Sequence, residues 1–102
     1  MANDPLAVIR ESDPALFATL GDMRECALGE GALSNKHKLL IALAIDAAIK
    51  SENGVRSLAR QALEAGASRR EIMEALRVVN YICGAGSMYA AAAALADVFP
   101  DA

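Results

Sequence analysis

From Leu39 to Ile49 the chain reads LLIALAIDAAI, a stretch in which Asp46 is the only polar side chain. A helix built from it has no face to offer water, so it must be covered on nearly every side, inside its own subunit or by a neighbouring one. It is too short to cross a membrane, which takes ~20 apolar residues, and so is the alanine-rich run that ends at Ala96. No membrane association is expected. The same pressure runs through the whole chain. Hydrophobic residues make up 55% of its 102 positions, with two Tyr and two Phe among them, so the surplus is Ala, Leu, Ile and Val. Ordinary domains hold about 45–50% by a count that includes glycine, and a domain of this size has little interior in which to hide the excess. Subunit contacts are expected to take it up, which makes the chain a homo-oligomer.

The rest of the sequence reads as five helices with short joints, one all-α domain over residues 1–102. Asp13-Pro14 is an N-cap followed by proline at the first helical position, where the missing N–H has no partner to lose. Leu16, Leu20, Met23 and Ala27 then recur at helical spacing until Gly29 and Gly31. Ser34 is placed to cap a second helix, from about Asn35 to Lys50. After a break or early turn at Gly54, a third carries Val55, Leu58, Ala59, Ala62 and Leu63 on one stripe and stops at Gly66. Ser68 and Glu71 form a capping box for the fourth. That helix is expected to bury Ile72, Leu76, Val79 and Cys83 before Gly84-Ala85-Gly86. Ser87 is the expected cap of the fifth, with Met88, Ala92, Leu95 and Phe99 facing inward ahead of Pro100. Sustained alternation is missing throughout, so no strand is expected.

The net charge of −3 argues against nucleic acid as a partner, since phosphate binding needs a basic surface. The N-terminus carries Asp4, Arg10 and Glu11 and has no apolar run of signal-peptide length, so a cytoplasmic protein is expected. Cys26 and Cys83 lie far apart and match neither a CxxC nor a zinc-ligand spacing, so no metal and no cofactor are expected.

Three stretches, in order, carry a family likeness. Leu33 to Ala44, LSNKHKLLIALA, is similar to a helix written L-x-x-K-x-K-E-L-I-A-L-A. Ala62 to Leu76, ALEAGASRREIMEAL, is similar to A-L-x-x-G-A-[ST]-x-x-E-I-x-E-A-L. The third runs from Val78 to Leu95 through the glycine break, and Asp13-Pro-Ala-Leu-Phe fits as well. On these the chain resembles the AhpD-like (alkylhydroperoxidase-like) branch of the carboxymuconolactone decarboxylase superfamily. The resemblance implies a compact helical fold, trimers or hexamers, and a thiol peroxidase of peroxiredoxin type or a disulfide reductase. That chemistry uses a glutamate, a CxxC pair and a histidine: a thiolate attacks, a base lowers its pKa, and the second cysteine resolves the intermediate. In this sequence the glutamate position is Leu39, the cysteine positions are Ser51 and Gly54, and the histidine position is Leu58. The spacing is kept and all four groups are gone. The decarboxylase branch, which resembles a family using a histidine at the place of Leu58, fares no better. A degenerate member, a pseudoenzyme that binds a small-molecule ligand or serves a structural role, is the expected function.

Three other residues are candidates for non-thiol chemistry in the same inter-helix pocket: Asp46, Tyr81 and Cys83. Each has a plainer reading. Asp46 precedes Lys50 by four residues, the favourable order for a helical ion pair, within the subunit or between subunits. Tyr81, like Tyr89, is explained by amphipathic packing. Cys83 stands at the negative end of its helix, which opposes thiolate formation, and is expected to be packed and inert. Cys26 beside Glu25 has less still to activate it. His37 between Lys36 and Lys38 is expected to be a surface residue. A remaining alternative is a helix-turn-helix, with Ala62, Gly66 and Ile72 at its spacing and Arg69-Arg70 opening the recognition helix. Glu71 and Glu74 on that helix oppose it.

Overall fold

The computed structural model describes residues 4–99, and those residues form six α-helices and no strand. They are α1 (Ala7–Ser12), α2 (Pro14–Leu28), α3 (Asn35–Ala48), α4 (Glu52–Glu64), α5 (Arg69–Cys83) and α6 (Gly86–Val98). The all-α expectation holds, with α1 as an addition. Pro100, expected to end the last helix, lies outside the described residues. No helix among the described residues is long and apolar enough to cross a membrane.

The chain divides into two compact units, Met1–Glu30 and Gly31–Ala102. In the first, Asp13 caps α2 by accepting from the Leu16 N–H at 3.0 Å, with Pro14 at the first helical position. Arg10 bonds Asp4 and lies over the Phe17 ring, 5.5 Å from its centre. No residue of α1 or α2 is buried, and Leu16, Leu20 and Met23 are exposed.

The second unit holds the core. Leu39, Leu43 and Ala47 of α3, Val55, Ala59 and Ala62 of α4, Ile72, Leu76 and Val79 of α5, and Ala91, Ala94 and Leu95 of α6 are buried. Helix α4 packs against α3 and α6, and α5 packs against the same two. Each fully buried Leu, Ile or Val contributes about 1.5–3 kcal/mol relative to exposure. The inner face of α6 differs from expectation. Ser87, Ala91 and Ala94 are buried, Met88 is only half-buried and Ala92 is exposed. Ser87 does not cap the helix, whose N-cap is Ala85 without a side-chain hydrogen bond. In a helix of alanines every face is apolar, so periodicity could not choose between them. Cys83, expected to be packed, is exposed.

Local caps fix the helix ends. Ser34 accepts from the His37 N–H at 3.1 Å. The Ser68–Glu71 capping box is complete, at 3.0 Å from the Glu71 N–H to Ser68 Oγ and 2.8 Å from the Ser68 N–H to Glu71 Oε1. Glu71 Oε2 accepts from Lys36 Nζ at 3.0 Å, which ties the start of α5 to the start of α3. Arg56 bonds Glu52 and Asn53 on its own helix and Asp97 on α6, at 2.6, 2.7 and 2.8 Å.

The Glu71 carboxyl is held below the usual glutamate range, first by the Ser68 backbone N–H and then by Lys36. A carboxyl with a depressed folded pKa contributes stability above its unfolded pKa, and that stability is lost as pH falls through the folded pKa. The stability difference between the wild type and Glu71→Gln, read by urea unfolding, is therefore expected to be widest above about pH 5 and to shrink at lower pH. A difference unchanged down to pH 2 would mean that the carboxylate's charge has no part in it.

Candidate functional site

The corner between α3 and α4 brings together three of the residues singled out in the sequence. Helix α3 ends in a Schellman arrangement: the Lys50 N–H donates to the Ala47 carbonyl at 3.0 Å and the Ser51 N–H to the Asp46 carbonyl at 2.8 Å. Such an ending needs a left-handed residue at Lys50, and its φ is 62°. Glycine is usual there, and an L side chain at such an angle costs about 1–2 kcal/mol. Because Lys50 has left the helix, the expected Asp46–Lys50 ion pair does not form among the described residues. The lysine side chain runs instead toward the glycine turn, with Cε and Nζ each 3.7 Å from where a Cβ on Gly86 would stand.

Ser51 is the N-cap of α4 and Gly54 lies in its first turn. The half-buried Asp46 carboxylate points at Gly54. A Cβ placed on Gly54 would come 2.6 Å from Asp46 Cγ and 2.8 Å from Ser51 Oγ. Real Cβ atoms do not approach neighbours that closely, so Asp46 fills the volume that a side chain at 54 would need. An acidic group opposes the dipole at the C-terminal end of α3, yet the same group lies against the first turn of α4, where a negative charge is favourable. This gives Asp46 a structural role that sequence spacing could not show.

The other two family positions hold no titratable group. Leu39 is buried on α3 and Leu58 half-buried on α4, and the two helices are packed on each other. Of the remaining candidates, Tyr81 is 85% exposed and Cys83 ends α5 in solvent, beside Gly84 with its φ of 82°. Tyr89 and Cys26 are exposed as well, and both cysteines are free. His37 is exposed, as expected, with its Nδ1 2.7 Å from Ser34 Oγ. No group of three His, Cys, Asp or Glu side chains that could hold a metal ion occurs among the described residues. The helix-turn-helix arginines have partners within the chain: Arg69 lies over the Phe99 ring at 4.4 Å, and Arg70 bonds Glu74 at 3.0 Å.

Sequence reasoning missed an open apolar groove of about 350 Å³ between α3 and α5. Leu33, Leu40, Ile41 and Ala44 line one side and Ala75 and Val78 the other, with His37 also in its wall. A smaller recess of about 260 Å³ lies at Met73, Arg77, Asn80 and Met88. The two alanines that open the groove are visible in the sequence, but only the register of α3 against α5 sets them opposite each other.

The sequence matches the carboxymuconolactone decarboxylase family over residues 14–97. No curated protein matches it. Among solved structures it is similar to the apo crystal structure of a carboxymuconolactone decarboxylase family protein from Legionella pneumophila. The identity is 31% and the TM-score 0.83, over 88% of this chain and 80% of that one.

The interlock at the corner can be measured. Gly54→Ala forces the Asp46 carboxylate, the movable end of a half-buried side chain, to turn aside, and since alanine is the better helix former by up to about 1 kcal/mol the net cost should be at most about 1 kcal/mol. In an Asp46→Ala background the same change should become neutral or stabilising. Equal effects in both backgrounds, measured by urea unfolding of the four proteins, would show that Asp46 and Gly54 do not meet.

Proposed function

The chain belongs to the carboxymuconolactone decarboxylase family, and from that footing we propose a cytoplasmic homo-oligomer that has given up the family's thiol chemistry and binds a small apolar ligand or serves assembly. One observation carries the reading: the Asp46 carboxylate stands where a side chain at 54 would project. A resolving cysteine there would meet a carboxylate, and the pocket is filled from the side of α3. Ser51 offers a hydroxyl, whose pKa is far too high to supply a ready anion, and neither Leu39 nor Leu58 can accept or relay a proton.

Peroxide reduction by a cysteine pair needs four linked events. A thiolate attacks the O–O bond, an alcohol or water leaves, the sulfenic acid condenses with a second thiol, and a reductant opens the disulfide. Among the described residues the two sulfurs stand singly, on α2 and at the end of α5. A second reading rests on the same corner. Asp46 and Ser51 direct two oxygens at one point, an arrangement able to move a proton on a bound substrate. Loss of a turnover in Asp46→Asn with folding intact would favour that reading.

In a coupled assay with a dithiol reductant and an organic hydroperoxide, the wild type should show no saturable turnover. Exposed Cys83 should give a slow background linear in peroxide, absent in Cys83→Ser. Restoring activity should take five changes: Leu39→Glu, Ser51→Cys, Gly54→Cys and Leu58→His, with Asp46→Ala to clear the space. Saturable turnover by the unaltered protein would sink the proposal. So, for the assembly half of it, would sedimentation of micromolar protein as a 10.6 kDa species alone.

A further inference from the structure

We propose that the recess between α5 and α6 binds a small aromatic carboxylate, with Arg77 and Asn80 holding the carboxylate. The inference goes beyond the small apolar ligand of the reading above, because it assigns a site and a headgroup. Arg69 at the start of α5 lies over Phe99 just past the end of α6, so the two helices run antiparallel across the joint at Gly84 and Ala85. Ile72, Leu76 and Val79 of α5 are buried in the core, while Met73, Arg77 and Asn80 stand one position further on from each and are exposed. Those three, with Leu76 and the half-buried Met88 of α6, line the recess of about 260 Å³. None of its residues belongs to α3 or α4, so it is separate from the corner of Asp46, Ser51 and Gly54.

The chemistry of the recess is divided along its length. Arg77 and Asn80, three residues apart, share one stretch of the α5 surface, and Met73 with Leu76 lies nearer the start of the helix. Arg77 has no hydrogen-bond, ion-pair or ring partner among the described residues. Glu74, three residues back, already accepts from Arg70 at 3.0 Å, and Arg10, Arg56 and Arg69 are likewise engaged. No Asp or Glu lines the recess, so a guanidinium with all its donors stands there uncompensated although the whole chain carries −3. A guanidinium fork matches a carboxylate with two parallel hydrogen bonds, and the Asn80 amide adds a donor beside it. The other end of the recess selects the body of the ligand. Met73 and Met88 come from opposite helices, and thioether sulfurs favour the edge of an aromatic ring. From Arg77 back to Met73 the helix rises about 6 Å, room for a single ring and not for a long chain. A carboxylate without that body would leave Leu76 and the methionines uncovered. An apolar molecule without the carboxylate would take water from Arg77 and give no hydrogen bond in return.

The experiment is an NMR titration of isotope-labelled protein with benzoate, benzamide and acetate, following the amide and methyl signals. Benzoate should bind saturably in the millimolar range and move the methyl signals of Met73 and Met88 and the side-chain amide of Asn80. Benzamide lacks the charge and acetate the ring, and each should bind several-fold more weakly. Arg77 is exposed, so its replacement is tolerated by the folded chain, which far-UV circular dichroism verifies. Arg77→Gln should weaken benzoate binding about tenfold or more, the usual worth of hydrogen bonds to a charged group. Arg77→Lys should fall between, because it keeps the charge and loses the fork. Arg60→Gln removes another exposed arginine, on α4, and should leave the affinity unchanged. The site is overturned by the absence of saturable shifts, or by an Arg60→Gln effect as large as that of Arg77→Gln. Acetate binding as tightly as benzoate would overturn the aromatic body. Shifts centred on Ala75 and Val78 would move the ligand to the α3–α5 groove, overturning this site while favouring the small apolar ligand proposed above. None of these outcomes touches the loss of thiol chemistry or the homo-oligomer, which the peroxide assay and sedimentation decide.

Discussion

The rest of the second unit depends on how closely α4 can approach its neighbours. Its inward stripe is Val55, Ala59 and Ala62, all fully buried, and two of the three are as small as a helical side chain can be without becoming glycine. Small residues bring helix axes near the short end of the usual 8–10 Å. At one end of α4 the Asp46 carboxylate replaces a side chain on Gly54, and two residues further on Arg56 fastens the helix to Asp97 of α6. Helix α5 reaches the same core from the other side of α3 and α6, guided at its start by Glu71 and Lys36. With α4 packed this closely, the spacing of its neighbours leaves little freedom.

What the sequence revealed was local. The caps at Asp13, Ser34 and Ser68 came out where expected, because a cap is a contract between residues two or three apart. The buried stripes of α4 and α5 were legible because charged residues mark their opposite faces, although Cys83 at the end of α5 is exposed. Helices without such marks were not. In α6 the choice among alanine faces belongs to tertiary packing, and in α3 the apolar exterior was legible while the side left uncovered, Ile41–Ile45–Ile49, was not. The Asp46–Lys50 pairing failed for a different reason: it assumed a helix that continues through Lys50, when the chain turns left-handed there. The site itself was legible as four positions and illegible as a shape. That Asp46 occupies the space over Gly54 follows from how α3 ends and α4 begins, which no spacing rule encodes.

The four positions singled out from the family likeness each have a part in the fold. Leu39 and Leu58 contribute apolar packing, Ser51 opens a helix, and Gly54 makes room for a carboxylate. Charge at this corner is arranged around a helix terminus instead of around a thiol. Membership of the family and the absence of Glu, Cys and His from these four positions are compatible, because the same backbone spacing joins two helices whatever side chains it carries.

The brevity of the joints bears on how the molecule reaches its final state. Helices α3 and α4 are separated by Ile49–Ser51 and α5 and α6 by Gly84 and Ala85, while α4 also packs on α6 and α5 on α3, so the packing joins helices both next to each other and one apart along the chain. Small helical bundles fold in microseconds to milliseconds. Encounters between molecules at micromolar concentration are slower, since docking two specific patches proceeds at about 10⁵–10⁷ M⁻¹s⁻¹. In the proposed oligomer a newly folded subunit would therefore spend an interval with Ile41, Ile45 and Ile49 in water, at the mercy of any other sticky surface it meets. The rate of synthesis, and not the stability of the fold alone, would then set how much of such a protein is captured by the wrong neighbour.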